Sequence, residues 1–319
     1  MTFKTFKTFK TFNYSTSIAS ALFPNPIFTA SGCAGSGKEL VHFFPLNDLG
    51  AIVTKSIMVK PRSGRATPRM AETPSGMLNS IGLQGPGIDF FLENDIPWLR
   101  DQGARIIVSI AGETIEDYAV LARKLRPVQG ISALEVNISC PNVENRGQVF
   151  ACNPETASAA IAAVRRNIGG ELPIIAKLSP DVTDIAEIAK SVVDAGADAL
   201  ALINTLLGMV IDTNTMVPKL SQRTGGLSGP AIRPIAVRAI YQVRAALPGI
   251  PIVGMGGVSN GRDAFELVLA GANAISVGTA TFGNPRAAIL IKSELEEICL
   301  ARGFDSFQEA IGYAHRVEQ

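Results

Sequence analysis

Residues 173–203 read "PIIAKLSPDVTDIAEIAKSVVDAGADALALI". Two short apolar runs, "PIIAKLS" (173–179) and "DALALI" (198–203), flank a segment with helical spacing. Ile185, Ile188, Val192 and Val193 fall on one stripe, Thr183 is the expected N-cap, and Gly196 stops the helix. Neither flanking run alternates apolar with polar, as befits parallel strands covered on both faces. The stretch therefore reads as a strand–helix–strand unit.

The same unit recurs along the chain. Further strands are expected at "IFTA" (27–30), "AIVT" (51–54), "IIVSI" (106–110), "ALEVNIS" (133–139), "PIVGM" (251–255) and "AISVG" (274–278), which makes eight. Helical spacing occupies 37–46, 92–102, 114–125, 155–168, 183–195, 231–246, 260–270 and 285–302. Eight strands, each followed by a helix, predict an α/β fold, a (βα)8 TIM barrel spanning 24–319. A doubly wound open sheet is the alternative. Two connections, 55–91 and 204–230, are too long for plain turns, and each follows a strand. They are expected as long insertions at the C-terminal face, where this architecture carries its active site.

Residues 1–23 are expected as an N-terminal tail and lead-in segment. "MTFKTFKTFKTFNYS" repeats Phe every three residues, a period that places no apolar face on either a helix or a strand. It also lacks the continuous apolar core of a signal peptide.

Composition excludes several functions. A net charge of +1 and 6% aromatic residues offer no footprint for nucleic acid. No apolar run approaches the ~18 residues that a membrane span needs. Cys33, Cys140, Cys152 and Cys299 form no CxxC pair, so no cysteine-held metal or iron–sulfur cluster is expected in this chain. Free thiols fit a reducing cytoplasm.

Polar residues gather where the expected strands end. Ala30, Ser31 and Gly32 follow the first strand, and Lys55 and Ser56 follow the second. Ser109 lies in the third, while Asn137, Ser139, Cys140 and Asn142 close the fourth in "NISCPN". Lys177 ends the fifth, and Asn204 and Thr205 end the sixth. An unpaired polar group in a dry core costs ~1–3 kcal/mol, so this many of them on one mouth point to a ligand. "GGLSG" (225–229), "GMGG" (254–257) and "VGTA" (277–280) bring glycines to the same end, which suits close approach to a phosphate. A lysine at a strand end can form a Schiff base, bind a phosphate or stabilise a developing anion, and position alone leaves these open. Cys140 sits on a loop beside Pro141, as a nucleophile or base would.

Together "NISCPN", "TASGC" (29–33), "TKS" (54–56), "ETPSGMLNSIGL" (72–83), "AKLSP" (176–180), "INTLLGMVID" (203–212) and "GGLSGPAIRPIA" (225–236) resemble the dihydroorotate dehydrogenases, closest to the class 1B catalytic subunit. The resemblance implies an FMN-binding barrel that oxidises dihydroorotate to orotate, with one FMN per chain and no metal. It implies Cys140 as the base at C5. It implies a substrate site of Lys55, Asn79, Ser80, Ile81, Gly82, Leu83, Asn137, Asn142, Asn204 and Thr205. The implied flavin contacts are Ala30, Ser31, Gly32, Lys55, Ser56, Ser109, Asn137, Lys177 and Ile203. Gly229, Gly256, Gly257, Gly278 and Thr279 are implied around the FMN tail and phosphate. A homodimer is also implied, joined into a heterotetramer by a partner subunit that carries FAD and a [2Fe–2S] cluster and reduces NAD.

Two positions depart from the family pattern, Gly85 in "GLQGPG" and Arg65 in "GRATPR", where asparagine is usual. The competing readings are a fumarate-reducing class 1A enzyme, a uracil- or thymine-reducing flavoenzyme and a non-redox phosphate-binding lyase or isomerase. The pyrimidine reductase typically reads "SCPH", whereas Asn142 follows Pro141 here.

Overall fold

The structure is a computed structural model that describes residues 12–138, 150–170 and 172–316. Strands β1 (Thr16–Ile18) and β2 (Ala21–Phe23) form a hairpin, followed by β3 (Ile27–Thr29) and β4 (Ile52–Val53). The first insertion holds β5 (Met70–Thr73) and β6 (Gly76–Asn79). Then come β7 (Ile106–Ile110), β8 (Ile131–Asn137), β9 (Ile174–Lys177) and β10 (Ala199–Leu202). The second insertion adds β11 (Leu206–Met209), β12 (Ile211–Asp212), β13 (Val217–Pro218) and β14 (Thr224–Ser228). β15 (Ile252–Met255) and β16 (Ala274–Val277) complete the set.

All eight expected strands form, in one parallel sheet ordered β3–β16–β15–β10–β9–β8–β7–β4. A parallel bridge between Phe28 and Ala51 joins the two end strands, with Thr29 N–H donating to Ala51 O at 3.2 Å. The sheet thus closes into a barrel, as the (βα)8 pattern predicts.

Along each barrel strand alternate residues face inward. The inward set near the N-terminal end is apolar: Phe28, Ile107, Ala133, Ile175, Val253 and Ala274 share one buried cluster. Ile18 and Phe23 of the β1–β2 hairpin join it, so the hairpin closes the barrel floor. Two residues further along, the same face turns polar, with Ser109, Glu135, Lys177 and Ser276 all buried. Outward residues such as Val108, Leu134 and Ile174 pack against the helices.

Within the expected tail and lead-in segment, the Phe12 ring lies tilted against Tyr14, whose own ring meets Phe307 edge-on. Residues 1–11 lie outside the described residues. The helix expected over 37–46 is instead two short 3₁₀ turns, Leu40–His42 and Leu46–Asp48. Gly37 has φ +86° before them, and Pro45 both lacks a donor and bars Phe44 from helical continuation. The N-cap of helix Ile185–Asp194 is Asp184, not Thr183. Its carboxylate accepts from both Ala186 and Glu187 N–H, and its charge suits the helix N-terminus.

Candidate active site

The two insertions build one structure over the mouth. β11, β14, β6 and β5 make a four-stranded antiparallel sheet in which Gly226 pairs with Asn79. Asn79 Nδ2 donates to Gly226 O at 3.3 Å, Ala231 N–H to Ser75 O at 2.9 Å, and Ser221 Oγ to Ala66 O at 2.6 Å. Beneath this lid lies a cavity of about 870 Å³ at the C-terminal ends of the strands. A Cβ on Gly226 would fall 2.1 Å from Thr205 Oγ1 and 2.6 Å from Thr205 Cβ. We therefore expect Gly226→Ala to displace Thr205 and to raise KM for a substrate held there by roughly tenfold, the scale of one lost hydrogen bond in a dry site. An unchanged KM would remove Thr205 from the substrate wall.

The sequence-predicted residues converge here. Ala30, Ser31, Gly32, Lys55 and Ser56 border the cavity from the first two strand ends. Asn79, Ser80, Ile81, Gly82 and Leu83 border it from the first insertion. Asn137, Lys177, Ile203, Asn204 and Thr205 border it from the middle strands. Gly229, Gly256, Gly257, Gly278 and Thr279 close the far end. Ser109 stands behind this wall, fully buried, with its Oγ 2.9 Å from Ser56 Oγ. Cys140 and Asn142 lie outside the described residues.

Sequence reasoning missed several groups at the site. Glu135 is buried in the middle of β8, where its Oε1 accepts from Ser109 Oγ at 2.9 Å and lies 3.9 Å from Lys177 Nζ. A charged residue inside the apolar run "ALEVN" was the available signal. Lys177 Nζ also donates to Ser31 Oγ at 2.9 Å, and Asn137 Nδ2 donates to Ser56 Oγ at 3.1 Å. Arg65 and Arg69 join Lys55 on the cavity wall, and Arg65 Nη1 donates to Ser80 Oγ at 3.0 Å. Arg65 thus ties two parts of the first insertion together. Burial, aided by the Arg69 charge, pulls the Lys55 pKa below its ordinary value. Burial pushes the Cys33 thiol up to about 11, against a partial opposing pull from Lys177, so it is a neutral thiol at pH 7.

The glycine end is shaped for close backbone approach. Gly257 has φ +76°, and a Cβ there would fall 2.9 Å from both Gly229 O and Arg233 N. Helix Arg233–Ala246 begins beside it, directing backbone N–H groups toward that end. Arg233 is itself held by Asp263 and by Glu266, the latter at 3.0 Å, which leaves backbone groups as the polar element of the glycine-lined end. The Ser276 hydroxyl borders the cavity, is buried, and has no hydrogen-bond partner among the described residues. Such an orphaned group asks for a polar ligand. A polar floor, an orphaned hydroxyl and a glycine-lined end open to close backbone approach fit an elongated group with a polar ring and a phosphate. Among the described residues no group of three His, Cys, Asp or Glu side chains could hold a metal ion. No helix among them is long and apolar enough to cross a membrane.

Comparison with known proteins agrees with this geometry. The family model described as Dihydroorotate dehydrogenase matches residues 14–299. The chain is 48% identical over 302 residues to "Dihydroorotate dehydrogenase B (NAD(+)), catalytic subunit" of Desulforudis audaxviator, covering 95% of this chain and 97% of the relative. The proteins of the same name from Desulforamulus reducens and Bacillus pumilus are 49% and 47% identical. Those matches cover 95% and 92% of this chain and 99% and 94% of the relatives.

Proposed function

Because this chain belongs to the dihydroorotate dehydrogenase family, we propose that it oxidises dihydroorotate to orotate in pyrimidine biosynthesis, using FMN and Cys140. The observation that carries the reading is the buried Lys177, held between Ser31 and Glu135 at one end of a cavity whose other end is lined by glycines.

When bound, FMN supplies the acceptor for the hydride that leaves C6 of dihydroorotate. The residues of the chain do the rest. Cys140 takes the proton from C5, and a thiol with a free pKa near ~8.5 can serve as that base close to neutral pH. Lys55 pairs with the substrate carboxylate, where a cation of lowered pKa gains most from an anionic partner. Asn79, Asn137, Asn142, Asn204 and Thr205 supply the donors and acceptors that a pyrimidine edge requires. Lys177 offers fixed positive charge on the flavin side, where negative charge accumulates during the reaction. Gly229, Gly256, Gly257, Gly278 and Thr279 hold the FMN phosphate through backbone groups.

The names of the relatives specify NAD(+) and a catalytic subunit. The chain has no G-x-G-x-x-G opening a helix after its first strand, and the cavity is filled by flavin and pyrimidine in this reading. The electrons then pass to a separate subunit carrying FAD and [2Fe–2S], docked on a homodimer of this chain to give a cytoplasmic heterotetramer. The purified chain alone is expected to be yellow and to reduce an artificial dye with dihydroorotate, but not NAD. Fast NADH production by the lone chain would refute the partner, and fumarate reduction would mark a class 1A-like enzyme. Absence of dihydroorotate-dependent dye reduction would refute the activity itself.

A further inference from the structure

Glu135 has no part in the reaction as assigned, yet it is 2% exposed at the centre of the polar floor. We propose that Glu135 is a positioning residue that fixes the direction of the hydrogen bonds running through Ser109 and Ser56 to Asn137 on the cavity wall. The inference rests on the FMN reading above and names the device that orients its ring.

The direction follows from counting protons. As the carboxylate partner of the Lys177 ammonium, Glu135 only accepts. The Ser109 hydroxyl has one proton and gives it to Glu135 Oε1 at 2.9 Å. The Ser56–Ser109 contact of 2.9 Å, in which either oxygen could donate, must then run from Ser56 to Ser109. Ser56 is left with lone pairs for its next neighbour, so Asn137 must turn its NH₂ toward it, as the 3.1 Å Nδ2–Oγ contact has it. The Asn137 carbonyl oxygen is thereby directed away from Ser56.

The second branch is read the same way. The Lys177 ammonium only donates, and it gives one proton to Ser31 Oγ at 2.9 Å. The Ser31 hydroxyl proton is therefore turned elsewhere, as a donor. The cavity thus has two walls of opposite character: ammonium and hydroxyl donors at Lys177 and Ser31, and an amide acceptor at Asn137 whose direction Glu135 sets. The complementary ligand edge carries a carbonyl beside an N–H, the pattern of a uracil-type ring. Both the flavin and orotate carry that pattern.

Glu135→Gln tests this with almost no change of shape. A glutamine amide can donate to Ser109, which lets the chain of protons reverse through Ser56 and turn the Asn137 NH₂ outward. We expect this variant to bind FMN, followed by flavin fluorescence, or orotate, followed by flavin absorbance in the holoenzyme, at least tenfold more weakly than the wild type. The two titrations tell which ring the relay orients. Ser109→Ala cuts the relay but leaves the Glu135–Lys177 pair in place, so it should lose comparable affinity even if Glu135→Gln fails to fold. Adding Asn137→Asp to Glu135→Gln should recover most of the loss, because a carboxylate accepts from a reversed Ser56 and still presents an acceptor to the ligand. The same Asn137→Asp alone should weaken binding, since it sets two acceptors against each other. Affinities within threefold of wild type for Glu135→Gln, or for Ser109→Ala, would overturn the proposal, as would a Glu135→Gln/Asn137→Asp pair no better than Glu135→Gln. A wild-type chain that fails to bind FMN would overturn the functional reading and the relay together.

Discussion

Replacing Cys140 by serine should leave FMN binding intact and slow dihydroorotate oxidation by about 10²–10⁴-fold at neutral pH, the usual cost of losing a general base. A serine hydroxyl has no accessible anion near pH 7 unless a neighbouring base activates it, whereas a thiol with pKa near ~8.5 is partly ionised there. The two histidines of the chain do not supply such a base. His315 hydrogen-bonds Ala270 O and stacks on Tyr241, and neither His42 nor His315 borders the cavity. The rate of the variant should rise with pH, as a weaker base demands. Stopped-flow bleaching of the flavin by dihydroorotate reads the step directly. Wild-type bleaching by the variant would remove Cys140 from the mechanism.

The second large effect is expected at Lys177. Lys177→Ala deletes the charge proposed to face the flavin, and losing one such preorganised group typically costs about 10²–10³-fold in rate. It also leaves Glu135 buried without its cation, and breaking a buried pair from one side typically costs about 3–5 kcal/mol. The variant should therefore lose FMN on gel filtration, reduce the remaining flavin slowly, and melt at a lower temperature without FMN. Lys177→Met combined with Glu135→Gln should recover most of the lost melting temperature, since no isolated charge remains, but not the rate. If Lys177→Ala holds FMN normally and reduces it at full speed, the charge is dispensable.

Much of this site was legible residue by residue. Lys55, Asn137, Lys177, Asn204 and Thr205 stand at the ends of apolar runs, and a polar group there has few structural uses. Glu135 was harder to find, because two residues of β8 separate it from the strand end and its partners come from other strands. Ser109 and Lys177 lie 26 and 42 positions away and share no local pattern with it. Thr183 shows the limit at short range: two adjacent residues could each cap the helix, and Asp184 prevails because its carboxylate reaches two N–H groups at once.

Sequence alone determined the barrel, because burial on both faces forces eight continuous apolar runs and the helices between them force parallel pairing. It determined the chemistry of the mouth as well, since strand ends deliver side chains there whatever the loops do. The lid was decided only in three dimensions. Asn79 and Gly226 are 147 positions apart, and their pairing runs through backbone groups that every residue carries, so no local pattern announces it. The barrel floor follows the same rule: Ile18 and Phe23 are ordinary apolar residues until the closed strands leave a hole that they fill. The inward face of the strands likewise turns from apolar to polar over a single two-residue step. Which polar groups then meet depends on the stagger between neighbouring strands, and only the closed barrel sets that stagger.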